Sequence, residues 1–62
     1  MIKPGQIYQT KTNSVFLRID EVTDEHVVYH FMDELSPKSR RCVLSVFQED
    51  IDDGVKLVED VK

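Results

Sequence analysis

The stretch SVFLRIDEVTDEHVVYHFM, residues 14–32, decides the fold. In residues 14–20 every second residue is aliphatic, which is the pattern of a strand with one buried face. Residues 27–32 are rich in β-branched and aromatic side chains, which favour strands. Residues 21–26 between them are mostly charged or polar and indicate an exposed turn. The stretch therefore predicts a β-hairpin, which needs further elements to cover its apolar face.

Shorter segments on both sides of the hairpin complete the predicted order of elements. Residues 6–10 predict a first strand after a Pro-Gly turn, and residues 40–44 predict a fourth strand. Residues 46–52 predict one or two helical turns, and residues 55–58 a last strand. This order is that of a mainly-β fold, a small five-stranded SH3-like barrel with a helical turn before the last strand. The competing layout is an open antiparallel sheet with one helix packed across it.

Ser45 and Gln48 have the spacing of a capping box at the start of the predicted helix. In such a box the serine hydroxyl accepts from the backbone N–H of the third residue on, and the glutamine side chain reaches back. Gly54 then supplies the positive φ that ends the helix.

The predicted core consists of the apolar residues that alternation and helical spacing turn inward. On the first strand the choice between Ile7 and Tyr8 stays open, because both are apolar enough to face in. The predicted core residues are Ile7, Val15, Leu17, Ile19, Val27, Tyr29, Phe31, Leu44, Phe47 and Leu57.

The length of 62 residues predicts a single domain, residues 1–62, that buries only about 60% of its unfolded surface. Its single cysteine, Cys42, excludes an internal disulfide, and no Cys/His cluster suggests a structural metal. The unpaired cysteine and the lack of a signal peptide favour a reducing cytoplasm. No apolar run approaches the ~20 residues of a membrane span, so no membrane association is expected.

Three segments carry a resemblance to known proteins: Lys3-Pro-Gly-Gln-Ile-Tyr8, the later Val-Val-Tyr-His30 and the corner Leu44-Ser-Val-Phe47. With them the chain resembles small uncharacterised phage and bacterial proteins that open with a Pro-Gly-Gln-aliphatic-Tyr phrase. The resemblance implies an SH3-like barrel and a phage-type origin, and it carries over no binding residues. A polyproline-binding groove is not expected, because the chain has no tryptophan.

The sequence contains no catalytic or cofactor-binding motif, so neither enzyme activity nor a cofactor is predicted. His26 and His30 are four residues apart, which is roughly 13 Å on one strand and too far to share a metal ion. Cys42 follows two arginines, which would lower a thiol pKa, but alternation places it on the core side, where cysteine acts as a small hydrophobe.

A basic group formed by Lys38, Arg40 and Arg41 lies near the fourth strand. Small barrels bind nucleic acid with such basic loops together with exposed aromatic residues, and Tyr8 and Phe16 are the aromatic residues placed outside the core by this interpretation. The basic group therefore supports the alternative function, salt-sensitive nucleic-acid binding.

An acidic group formed by Glu49, Asp50, Asp52 and Asp53 is the densest run of charge in a chain of net charge −4. A compact acidic face can dock on a basic protein surface, and it can equally serve solubility alone. Other acidic residues could extend the group: Asp20, Glu21, Asp24 and Glu25.

These observations favour a non-enzymatic module that binds another protein through the acidic group, in the manner of a small phage-type regulator. The identity of the partner and the formation of a homodimer stay open. Nucleic-acid binding through the basic group is the less favoured hypothesis. A continuous basic strip beside an exposed Phe16 or Tyr8 would support nucleic acid, whereas cations isolated among carboxylates would support a protein partner.

Overall fold

The computed structural model describes residues 2–11 and 15–61, so the start of the predicted hairpin at Ser14 lies outside the described residues. The elements are β1 (Ile7–Gln9), β2 (Phe16–Val22), β3 (His26–Phe31), β4 (Arg40–Val43), α1 (Leu44–Asp53) and β5 (Lys56–Glu59). This order confirms the one predicted from the sequence. The helix has ten residues and is longer than predicted.

All five strands form one antiparallel sheet with the order β4-β3-β2-β1-β5. The central pair β2–β3 is the predicted hairpin, in which Ile19 lies opposite Tyr29. Among the described residues β4 pairs only with β3 and β5 only with β1, so no ladder closes the sheet into a barrel. The mainly-β class is confirmed as a five-stranded antiparallel sheet with a helix before the last strand.

The face of the sheet that packs against α1 is called the inner face here, and the opposite face the outer face. Phe47 of α1 meets the Tyr8 ring edge-on, with centroids 5.4 Å apart, and lies 6.1 Å from the Tyr29 ring. Most of the predicted core residues lie on this inner face or on α1, either buried or partly buried against the buried residues. The buried apolar residues are Ile2, Tyr8, Leu17, Ile19, Val27 and Phe47, and the partly buried ones include Tyr29, Phe31 and Leu44.

Three predicted core residues, Ile7, Leu57 and Val15, do not belong to this core. Ile7 is only half-buried, because alternation along β1 turns Tyr8 inward and therefore turns Ile7 to the outer face. Leu57 lies opposite Tyr8 but remains 45% exposed, because β5 is the edge strand of the sheet. Val15, which precedes β2, is half-buried.

The predicted capping box at Ser45 is also wrong. The helix begins at Leu44 after Val43 as N-cap, and among the described residues no side chain makes a capping hydrogen bond there. The Leu44 N–H donates instead to the carbonyl oxygen of Glu25 at 2.8 Å. Because the β2–β3 turn satisfies this backbone donor, the helix starts directly from β4 and includes Ser45 in its first turn. At the other end, Gly54 has the predicted positive φ, +133°.

The chain before β1 folds into a tight turn over residues 3–6. The Gln6 N–H donates to the Lys3 carbonyl oxygen at 3.3 Å, with Pro4 and Gly5 at the two central positions. Gly5 has φ of +92°, which a type II turn requires at its second central residue. A Cβ at Gly5 would also lie 2.7 Å from the Val61 side chain, so the C-terminal segment packs closely against this turn.

Candidate functional site

The acidic group lies on the exposed side of α1. Phe47 and Ile51, one turn apart, mark the side of the helix that faces the core. Glu49 and Asp53 are likewise one turn apart and lie on the opposite side, while the other two acidic residues lie on the flanks. All four are exposed. The helix therefore presents the whole acidic group to solvent.

The charges on α1 are placed against the helix dipole. Within residues 44–53, all of them described, the first turn contains no acidic residue and the last turn no basic one. The carboxylates crowd the C-terminal half, where the dipole is negative and cations would be favoured. Lys11 lies 3.6 Å from Asp53, but both side chains are mostly exposed, so this pair contributes little. This ion pair therefore offsets little of the negative charge at this end of α1.

Two open recesses flank α1, and carboxylates line both of them. The first has a volume of about 400 Å³ and lies beside the start of the helix, where Asp24 and Glu25 contribute to its wall. The second, of about 450 Å³, lies beside the end of the helix, where Asp52 and Asp60 line it. Gln48 lines both. The acidic surface consequently continues from the helix into the recesses.

Only part of the predicted extension of the acidic group is on this side of the molecule. Asp24 and Glu25 lie at the first recess, as just described. Asp20 lies instead on the outer face, where its carboxylate is 2.9 Å from Nδ1 of His30. Glu21 lies opposite Val28 in the ladder, again on the outer face. These two residues do not join the acidic group.

The second recess rests on a hydrogen-bonded network around Gln6, which is only 2% exposed. Its Oε1 accepts from the Tyr8 hydroxyl at 2.9 Å and from the Lys3 N–H at 2.7 Å. Its Nε2 donates to Oδ1 of Asp60 at 2.7 Å, and the Val61 N–H donates to the same oxygen. The network fixes the Asp60 carboxylate at the rim of the recess.

These hydrogen bonds and the burial shift two pKa values in opposite directions. The hydrogen bond from Gln6, followed by the one from the Val61 N–H, lowers the pKa of Asp60. Burial, followed by the charge of Asp60, raises the pKa of Tyr8. At neutral pH the network therefore pairs an ionised carboxylate with a neutral phenol.

Sequence reasoning missed Gln6 and Asp60. The Pro-Gly turn indicates that Gln6 stands at the start of a strand, and a polar residue that directly follows a turn is expected to be exposed. Its burial depends on Asp60, which is 54 residues away along the chain. No local pattern reports a contact of that separation.

The basic group does not form one surface. Arg40 lies opposite Tyr29 on the inner side, stacks 5.0 Å from the Phe31 ring centroid and donates to Glu34 at 3.3 Å. Arg41 follows it in β4 and alternation turns it to the outer face, while Lys38 lies in the preceding loop.

Of the two aromatic residues that could have accompanied the basic group, Tyr8 is buried. Phe16 is exposed, but it lies on β2 opposite Gln9 of β1, two strands away from β4. Neither of these two aromatic residues is therefore exposed beside the basic group.

Cys42 lies opposite Val27 and is half-buried. Burial, and then the charge of Asp50, raises the pKa of its thiol, so the adjacent arginines do not activate it. His26 and His30 lie on β3, and His30 contacts Asp20. Within residues 2–11 and 15–61, no three His, Cys, Asp or Glu side chains converge as a metal site would require. In the same residues, no helix has the length and apolar character needed to cross a membrane.

Comparisons with known proteins identify no relative: no protein-family model, no curated protein and no solved structure matches the chain.

Proposed function

We propose that the protein is a non-enzymatic, cytoplasmic module that binds another protein through the acidic group on α1. The observation that carries this proposal is the position of the charges on the helix. Carboxylates crowd the C-terminal half, where they oppose the helix dipole, and the first turn, where the dipole would favour them, has none within the described residues.

Solubility alone does not account for this arrangement. Net charge serves solubility wherever it is exposed, including the first turn of α1 and the loops. A domain of this size has little stability to spare, so charges that destabilise its only described helix need another reason. Departures from local rules of this kind are expected at functional sites.

The partner that fits this surface is a protein with exposed lysine and arginine side chains. Such side chains can reach the carboxylates of α1 and enter the two recesses, whose walls include Glu25 and Asp60. Complementary charge would speed association and make binding sensitive to salt. A small acidic domain that covers a basic surface acts as a regulator of whatever that surface binds.

The proposal is tested with matched charge reversals of two exposed glutamates. Glu49→Lys changes the acidic group, and Glu21→Lys changes the outer face with the same effect on net charge. Each variant and the parent are immobilised, and the proteins they retain from a cell lysate are quantified by mass spectrometry. We expect Glu49→Lys, and likewise Asp52→Lys, to lose partners that Glu21→Lys keeps. Equal retention by all three variants, or equal loss, would overturn the proposal.

A further inference from the structure

The outer face carries an apolar recess at the end of the sheet where β5 lies beside β1. Its volume is about 310 Å³, and its apolar lining comes from Ile7, Phe16, Met32 and Val58. Phe16, Met32 and Val58 are 41%, 45% and 51% exposed. Exposed apolar side chains gathered around one recess, rather than scattered singly, are typical of interaction sites. This recess lies across the sheet from α1 and is separate from the acidic group.

A β-bulge in β5 shapes this recess. Tyr8 of β1 lies opposite Leu57, whereas the preceding Ile7 lies opposite Glu59, so Val58 is the extra residue between the two pairs. A bulge of this kind redirects side chains that strict alternation would send to opposite faces. As a result, an apolar residue and a carboxylate from consecutive positions of β5 both line the recess.

We propose that this recess is a second binding site, which takes one bulky apolar side chain from a partner segment that carries lysine or arginine next to it. The volume suits a single anchoring side chain, because it is at the lower end of what ligand pockets need, about 300–1,000 Å³. The charged residues that line it are Asp33 and Glu59, both exposed and both acidic. An apolar floor with acidic walls is complementary to an apolar anchor flanked by cations.

A second copy of this chain is a poorer occupant than a basic segment. A two-fold symmetric contact would place the recess against itself and so bring Asp33 and Glu59 of both copies together. Each copy also carries a net charge of −4, which adds to the repulsion. The proposal therefore commits to a different chain with basic flanks.

The probe is a short peptide with a central phenylalanine between lysines, titrated into the 62-residue chain and followed by calorimetry and amide NMR. One comparison peptide has alanine in place of phenylalanine, and another has glutamates in place of lysines. We expect Phe16→Ser and Met32→Gln each to weaken binding of the lysine-phenylalanine peptide by about tenfold, as loss of an anchor contact does. Met32 lies outside the strands, so at least one variant avoids disturbing the sheet.

Val46→Ser is the matched control, because Val46 is 46% exposed but lies on α1. We expect this variant to bind the peptide as the parent does, and both comparison peptides to bind at least about tenfold more weakly. Equal affinity for the alanine or glutamate peptide, or equal binding by Phe16→Ser and the parent, would overturn the proposal. A parent dimer that Phe16→Ser dissolves would assign the recess to a second copy and overturn it too.

The Glu49→Lys variant separates this inference from the proposed function. If the recess is the site, Glu49→Lys retains the affinity of the parent for the lysine-phenylalanine peptide. If Glu49→Lys loses the peptide and Phe16→Ser keeps it, the peptide sits on α1. The second site is then refuted while the proposed function stands.

Discussion

Gln6 joins the two ends of the chain into one structure. Its side chain is buried and bonded to Lys3 and Tyr8 near the N-terminus and to Asp60 near the C-terminus. A buried amide of this kind is tolerated only because its partners satisfy it. The same side chain also orients a carboxylate that lines a recess next to α1. At the scale of single residues, Gln6 links stability to the candidate site.

Replacing Gln6 with leucine is expected to destabilise the protein by about 1–3 kcal/mol, because it leaves the buried Tyr8 hydroxyl without its acceptor. Gln9→Leu is the control, since Gln9 lies in β1, which Gln6 directly precedes, and its side chain is on the outer face. Denaturant unfolding monitored by circular dichroism measures both. Equal stability of the two variants would contradict the role assigned to Gln6.

The pKa of Tyr8 determines how the stability of the protein changes at alkaline pH. Its pKa is raised in the folded protein above the ordinary value of 10.0, chiefly by burial. Between these two pKa values the unfolded chain releases the phenolic proton and the folded one keeps it, so the free energy of unfolding falls as pH rises. Below the ordinary value the contribution is complete. The pKa of Tyr29 is raised as well and adds to the same decline.

We expect Tyr8→Phe to reduce this alkaline decline, because it removes one of the three groups whose pKa is raised in the folded protein, Tyr8, Tyr29 and Cys42. Unfolding free energies measured from neutral pH to above pH ~10 test this, with tyrosinate absorbance as a second readout. A variant whose pH profile has the same slope as that of the parent would show that Tyr8 does not titrate in this way.

At the scale of elements, α1 holds the inner face together through Phe47. The ring packs edge-on against Tyr8 of β1 and tilted against Tyr29 of β3, so one side chain ties the helix to strands that are not neighbours. Edge-to-face pairs of this type add to the free energy of simple burial. The helix can therefore cover the sheet although no ladder among the described strands closes it.

Phe47→Ala is expected to destabilise the protein by about 3–5 kcal/mol, and Leu17→Ala by about 2–5 kcal/mol, because both side chains are buried. Val46→Ala, next to Phe47 but exposed, should change stability by less than about 0.5 kcal/mol. Thermal melts of the three variants provide the comparison. If Phe47→Ala melts at nearly the same temperature as Val46→Ala, Phe47 is not a core residue.

Removing a charge from the acidic group should stabilise the protein, in contrast to the core substitutions. Asp52→Asn removes a negative charge from the end of α1 and should stabilise the protein by about 0.3–1 kcal/mol at low salt. Asp24→Asn, in the β2–β3 turn, should have no comparable effect. If Asp52→Asn melts below the parent, the carboxylate is stabilising where it stands, and solubility becomes the simpler explanation of the acidic group.

At the scale of the whole molecule, local patterns were sufficient for the elements. The strand patterns of residues 14–20 and 27–32 predicted the hairpin that β2 and β3 form, and helical spacing with Gly54 predicted α1. The exposed acidic group also followed from the sequence, because acidic side chains on a short helix face solvent unless they are paired.

What the sequence did not show depends on contacts between distant segments. The start of α1 at Leu44 depends on the carbonyl oxygen of Glu25, and the burial of Gln6 on Asp60. The outer recess depends on a bulge in β5, which only the register against β1 reveals. Such features arise when elements meet, and periodicity within one element carries no information about them.

The measurement that tests the central claim most directly is amide NMR of the labelled 62-residue chain bound to the partner that the parent captures. We expect the largest shifts in α1, residues 44–53, and in the adjacent turn, residues 23–25, and we expect Glu49→Lys to abolish them. Shifts concentrated in residues 38–41, with α1 unchanged, would show that the basic group binds the partner and would contradict the account.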